Sequence, residues 1–97
     1  MMGGLPLLLR SLHMTLDMEG KEPLYRQLAG ILRAMIDSGE IPPGRRLPSK
    51  KALEQQHGVS QNTVERALAL LKDDGLLETS MGRGLFVTQP EDRPGQR

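Results

Sequence analysis

Two stretches of helical character abut across only two residues, Gly58 and Val59, and this junction limits how the chain can fold more than any other feature. Ser49 stands where an N-cap belongs, because its hydroxyl can accept from the free backbone N–H groups of a first helical turn. Helix formers follow from Lys50 to His57, and Gly58 stops them. Ser60 is a second cap. It opens a longer segment that carries Val64, Ala67, Leu68 and Leu71 on one face and ends at Gly75. So short a junction makes the two helices meet at a steep angle. Ala52, Leu53, Val59, Val64 and Leu68 must then share one small core, with Gly58 relieving the backbone and Val59 filling the corner.

Around this pair the chain supplies one more helix and a hairpin. Leu24, Leu28, Ile31, Leu32, Met35 and Ile36 form an amphipathic stripe, with Pro23 suited to the first helical position and Gly39 to the left-handed stop. The connection Glu40 to Pro48 holds three prolines and cannot be helical. Past Gly75, two short apolar runs, Leu76 to Ser80 and Leu85 to Thr88, flank Met81-Gly82-Arg83-Gly84, whose glycines allow a tight turn. The order predicts a mainly α domain with a small β-hairpin: a winged helix-turn-helix. Residues 1–20 read as a flexible N-terminal extension, 21–88 as the domain and 89–97 as a disordered tail rich in Pro, Gly and charge. Met14 and Met18 are alternative start sites to Met1.

Composition removes most other classes of function. The 97 residues suit one domain. There is no cysteine, hence no disulfide framework, thiolate nucleophile or cysteine zinc site. His13 and His57 stand apart, no acid–base pair or phosphate-cradling loop is evident, and neither catalysis nor a metal or cofactor is expected. The run Leu5 to Leu9 is shorter than a signal-peptide core of roughly 7–15 residues. No apolar run reaches the roughly 18 residues of a membrane span. A cytoplasmic protein with no membrane partner is expected.

A helix-turn-helix leaves the first turn of its second helix free to enter a major groove of double-stranded DNA. The residues there are Gln61, Asn62, Thr63, Glu65 and Arg66, with Ser60 as cap. Ser49, Lys50 and Lys51 open the first helix and can sit against phosphates, which position a protein without reading sequence. Gly82 and Arg83 form the tip of the wing, where Arg83 has little packing reason to stand between two glycines. Each has a plainer reading. The serines cap helices whatever else they do, and Lys50, Lys51, Arg45 and Arg46 also suit a solvated face. Tyr25 and Phe86, the two aromatic residues, read as core or partly buried, which disfavours stacking on single-stranded nucleic acid.

From Glu22 to Val87 the chain resembles the winged helix-turn-helix domain of the GntR family of bacterial transcription regulators. The matching stretches are Pro23-Leu24-Tyr25-Arg26-Gln27, Gly39 to Gly44, Leu47-Pro48-Ser49, Gly58-Val59-Ser60, Asn62-Thr63-Val64, Ala67-Leu68, Gly75-Leu76 and Gly82 to Val87. The opening Pro-Leu-Tyr-Arg-Gln is similar to the HutC-like and YtrA-like branches. It also resembles the branch fused to an aminotransferase-like domain, which usually has tyrosine where this chain has Leu68. The resemblance implies a homodimer on an inverted-repeat operator that usually represses transcription. It also implies a C-terminal effector domain. Nine residues follow Thr88, so no small-molecule effector is expected to bind within this chain, which is either a minimal regulator or a fragment of a longer one.

The reading face departs from the family. Members often carry arginine at the positions of Gln61 and Glu65, and Glu-Arg where this chain has Lys50-Lys51. Glutamine prefers the N6/N7 edge of adenine, and glutamate accepts only from a donor such as cytosine N4. A half-site less dependent on guanine is therefore expected.

Charge placement supports duplex DNA modestly. The net charge is +1, but between Arg45 and Thr88 seven basic residues face five acids, with Asp73, Asp74 and Glu78 at the far end. So few cations should bind weakly and lose affinity steeply with salt, which makes dimerisation almost a requirement. A protein-interaction winged helix is the rival reading. Lys50, Lys51 and Arg83 argue against it.

Overall fold

The computed structural model describes residues 16–94. Three helices run as α1 (Leu24–Asp37), α2 (Lys50–His57) and α3 (Gln61–Asp73). They are followed by β1 (Leu77–Ser80), β2 (Gly84–Val87) and a 3-10 turn at Pro90–Asp92. The predicted order of helix, loop, helix, tight turn, helix and hairpin is the observed one.

Helix α1 buries Leu28, Ala29, Ile31, Leu32 and Ile36, while Leu24 and Met35 are half-buried. Pro23 is not in the first turn, as expected, but one residue before it. Its extended ψ of 145° makes it the cap, and its carbonyl accepts from Arg26 and Gln27. Gly39, at φ +85°, turns the chain out of the helix.

Helices α1 and α3 pack together, and α2 closes against α3. Leu28, Leu32, Leu53, Val64 and Leu71 are at most 1% exposed. Burying each stabilises the fold by roughly 1.5–3 kcal/mol relative to leaving it in water. Val59 packs on the edge of this core, at the corner between α2 and α3. The end of α3 is a Schellman stop: Gly75 N–H donates to the Lys72 carbonyl and Leu76 N–H to the Leu71 carbonyl. Leu76 thus gives its N–H to the helix stop while its carbonyl accepts from Thr88 N–H at 2.9 Å, and the first strand begins at Leu77 rather than Leu76.

The hairpin pairs Leu77 with Val87, Glu78 with Phe86, Thr79 with Leu85 and Ser80 with Gly84. The turn closes with Arg83 N–H donating to the Ser80 carbonyl at 2.9 Å. Gly82 has φ +75° at the third position of that turn, where a type II geometry requires a positive φ.

The proline-rich connection does more than link α1 to α2. Arg46 pairs antiparallel with Phe86, so Gly44–Leu47 lies along the free side of β2. Gly44 N–H donates to Val87 O, Leu47 N–H to Leu85 O, and Val87 N–H to Arg45 O. The two connection residues that donate, Gly44 and Leu47, lie between Pro43 and Pro48, the longest run of the connection without proline.

Of the extension read as flexible, residues 1–15 lie outside the described residues, including the alternative start at Met14. The remaining Leu16–Gly20 is held to α1. Asp17 N–H donates to Gln27 Oε1 at 2.7 Å, and Gln27 Nε2 donates back to the Asp17 and Glu22 carbonyls. Leu16 packs on the core. The tail read as disordered also has structure in its described part. Pro90 starts a 3-10 turn and Arg93 Nε donates to the Thr88 carbonyl at 3.0 Å. Residues 95–97 lie outside the described residues.

Candidate nucleic-acid interface

The site residues come from three places: the starts of α2 and α3, and the wing. Ser49 Oγ accepts from Ala52 N–H at 3.1 Å, and Ser60 Oγ accepts from Thr63 N–H at 3.2 Å. Ser60 also donates to Thr63 Oγ1 at 3.1 Å. Both serines are caps, as their positions suggested. Replacing either by alanine costs typically about 1 kcal/mol. Gly58 sits between them at φ +64° in the left-handed region, so the chain reverses there without a strained Cβ.

At the start of α3, Gln61, Asn62 and Glu65 are exposed and Thr63 is half-buried. Glu65 is the hub of this surface. Gln61 Nε2 donates to Glu65 Oε2 at 3.1 Å, and Lys50 Nζ lies 3.7 Å from the same oxygen. The carboxylate thus has a cation from α2 and an amide from its own helix. Lys51, one residue on, is exposed.

Arg66 does not join this group. Its guanidinium lies over the Tyr25 ring, 4.1 Å from the centroid, a cation–π contact between α3 and α1. Arg26 lies at 5.9 Å from the same ring, and its Nε approaches the Tyr25 hydroxyl at 3.4 Å. The hydrogen bond from Arg26, with the charges of Arg26 and Arg66, holds the Tyr25 hydroxyl below its ordinary pKa against a smaller opposing effect of desolvation. Tyr25 is half-buried, so it serves as a platform for arginine and not as core.

Arg83 is exposed at the tip of the wing beside Gly82. Arg46 joins it at the base. A Cβ on Gly84 would stand 3.3 Å from Arg46 Nε, so the missing side chain is what lets the guanidinium lie on the wing backbone. In the sequence Arg46 suits either a cationic contact or a solvated face, and its exposure next to buried Leu47 marks a strand edge only once β2 is known to run beside it. His57, at the end of α2, is part-buried, and burial pushes its pKa down. Far from this face, Arg33 pairs with Asp74 and ties α1 to the end of α3. Among the described residues, no three His, Asp or Glu side chains converge on a metal-binding geometry, and no helix is long and apolar enough to cross a membrane.

The start of α3 is exposed, and Lys51, Arg46 and Arg83 are exposed cations on the neighbouring α2 and wing. Known proteins share the fold. Residues 24–87 match the model of the bacterial regulatory proteins of the gntR family. Over 70 residues the chain is 43% identical to the mannosyl-D-glycerate transport/metabolism system repressor MngR of Escherichia coli, covering 72% of this chain and 29% of that protein. It is 41% identical over 75 residues to the histidine utilization repressor of Pseudomonas putida, covering 77% of this chain and 30% of that one. The chain thus spans about a third or less of these curated relatives. Among solved structures, YtrA from Sulfolobus acidocaldarius, a GntR-family transcription factor, superposes with a TM-score of 0.73 at 34% identity, over 78% of this chain and 80% of that one. The AraR DNA-binding domain in complex with operator ORX1 superposes with a TM-score of 0.68 at 32% identity, over 76% and 98%. The chain belongs to the GntR family of bacterial regulatory proteins, and its winged helix-turn-helix is that family's DNA-binding domain.

Proposed function

We propose that this chain binds double-stranded DNA at a specific inverted repeat, as a homodimer, and represses transcription from the cytoplasm without catalytic activity of its own. The observation that carries the reading is the exposed start of α3 at Gln61 and Asn62, with Lys51 exposed on the adjoining α2, Arg83 exposed at the wing tip and Arg46 held beside β2. A helix start so placed enters a major groove while the flanking cations meet the backbone on either side. Gln61, Asn62 and Thr63 are the base-reading candidates; Lys51, Arg46 and Arg83 are the phosphate contacts. Ser49 and Ser60 hold the two helix starts in place, and Gly82 shapes the wing tip. The repressors among the relatives and the operator bound by AraR support the reading.

Two copies follow from the charge. A single domain with this few cations gains little from counterion release, whereas two linked domains on one site multiply their effective affinity. Selection from a randomised duplex library at moderate salt tests the proposal. An enriched inverted repeat is expected, and its half-site spacing gives the dimer geometry. A folded protein that retains no common sequence would overturn it.

A further inference from the structure

Glu65 is an acid on a surface built to meet a polyanion, and three observations say what it does there. Its Oε2 accepts from Gln61 Nε2 at 3.1 Å, one helical turn back. The same oxygen lies 3.7 Å from Lys50 Nζ, which comes from the other helix of the motif. All three side chains are exposed, so the group is open to a ligand and is not part of the core.

We infer that Glu65 is a positioning residue that fixes the amide of Gln61 to read adenine. The inference rests on the DNA-binding reading above. A primary amide has two N–H donors and one acceptor oxygen. The chemistry forbids the opposite orientation at Glu65, since turning the amide over would set two oxygens against each other. One N–H is therefore committed to the carboxylate. The second N–H and Oε1 remain, side by side, as a donor–acceptor pair. Adenine presents the matching pair in the major groove, with N7 as acceptor and the N6 amine as donor. Guanine offers two acceptors at that edge and would leave Oε1 facing O6 or N7. Lys50 completes the device. Its charge offsets the carboxylate, so the acid can stand near phosphates without repelling them, and Lys50 itself is withdrawn from phosphate contact. Glu65 therefore does not act as the independent reader of cytosine N4 that its chemistry alone suggests.

The test compares the 97-residue wild-type chain with Glu65→Ala and Glu65→Gln in selection from randomised duplexes, followed by binding to the enriched site at several salt concentrations. Wild type is expected to select adenine at one position of each half-site. Placing 7-deazaadenine there, which lacks the N7 acceptor, should weaken wild-type binding on the order of ten-fold. Glu65→Ala should lose about two- to ten-fold of its preference for adenine over guanine, the cost of ordering one side chain. At the same time it should bind unrelated DNA more tightly, with the salt slope steeper by about 0.9, because Lys50 is released to a phosphate. Glu65→Gln offers Gln61 a donor as well as an acceptor, so the amide is no longer fixed in one orientation and the adenine preference should fall as in Glu65→Ala. Thermal unfolding should be alike in all three. An adenine preference and 7-deazaadenine penalty that survive in Glu65→Ala would overturn the inference while leaving sequence-specific binding intact. Failure of the wild type to enrich any sequence would overturn both.

Discussion

The guanidinium carbon of Arg66 lies 4.1 Å from the centroid of the Tyr25 ring, and this contact joins the first turn of α1 to the second turn of α3. Tyr25 is thereby a brace for α3. At an exposed position such a contact stabilises by about 0.5–1 kcal/mol.

A double-mutant cycle checks this brace. Tyr25→Ala and Arg66→Ala should each lower stability, and the pair should fall short of additivity by about 0.5–1 kcal/mol. Tyr25→Phe keeps the ring and should retain most of the coupling. Strict additivity in urea titrations would remove Arg66 from the brace and return it to the pool of free cations.

The wing and α2 cations should act on DNA without reading it. Lys51→Ala, Arg46→Ala and Arg83→Ala are each expected to weaken all duplexes alike. Each should also reduce the slope of log affinity against log salt by about 0.9. Arg46 is the sharpest case, because its place on the wing depends on the bridge to Phe86. An unchanged slope for Arg46→Ala would remove it from the interface.

His57 gives the domain a pH dependence of predictable sign. Burial lowers its pKa from the ordinary 6.5, so the unfolded chain takes up the proton more readily than the folded one. Stability from this group is complete above about pH 6.5 and declines as pH falls from there toward the lower folded value. Melting temperatures of wild type should therefore drop more between pH 7 and pH 5.5 than those of His57→Gln. Equal drops would assign the acid sensitivity to carboxylates instead.

The legible parts of this chain were those decided within one or two helical turns. The Ser49 and Ser60 caps, the left-handed stops at Gly39, Gly58 and Gly75, and the apolar stripes of α1 and α3 all depend on neighbours a few residues away. With so short a turn between α2 and α3, those local features also limit how the two helices can cross, and the fold class follows. Strand ends were less legible, because Leu76 serves both elements, its N–H closing the helix stop and its carbonyl accepting from Thr88 across the hairpin.

Only the tertiary structure decided who meets whom on the reading face. Lys50, Gln61 and Glu65 were all visible as polar residues at the right helix starts, but their roles looked independent. Packing α2 against α3 brings Lys50 to Glu65 and turns a surplus acid into part of a network. The same holds for Arg66, which the packing of α1 on α3 draws to Tyr25, and for Arg46, which β2 recruits into the wing. Hydrophobic periodicity marks which face of an element is buried. It leaves open the partner of a polar side chain, because that depends on the crossing of elements far apart in the chain, which the shared core sets.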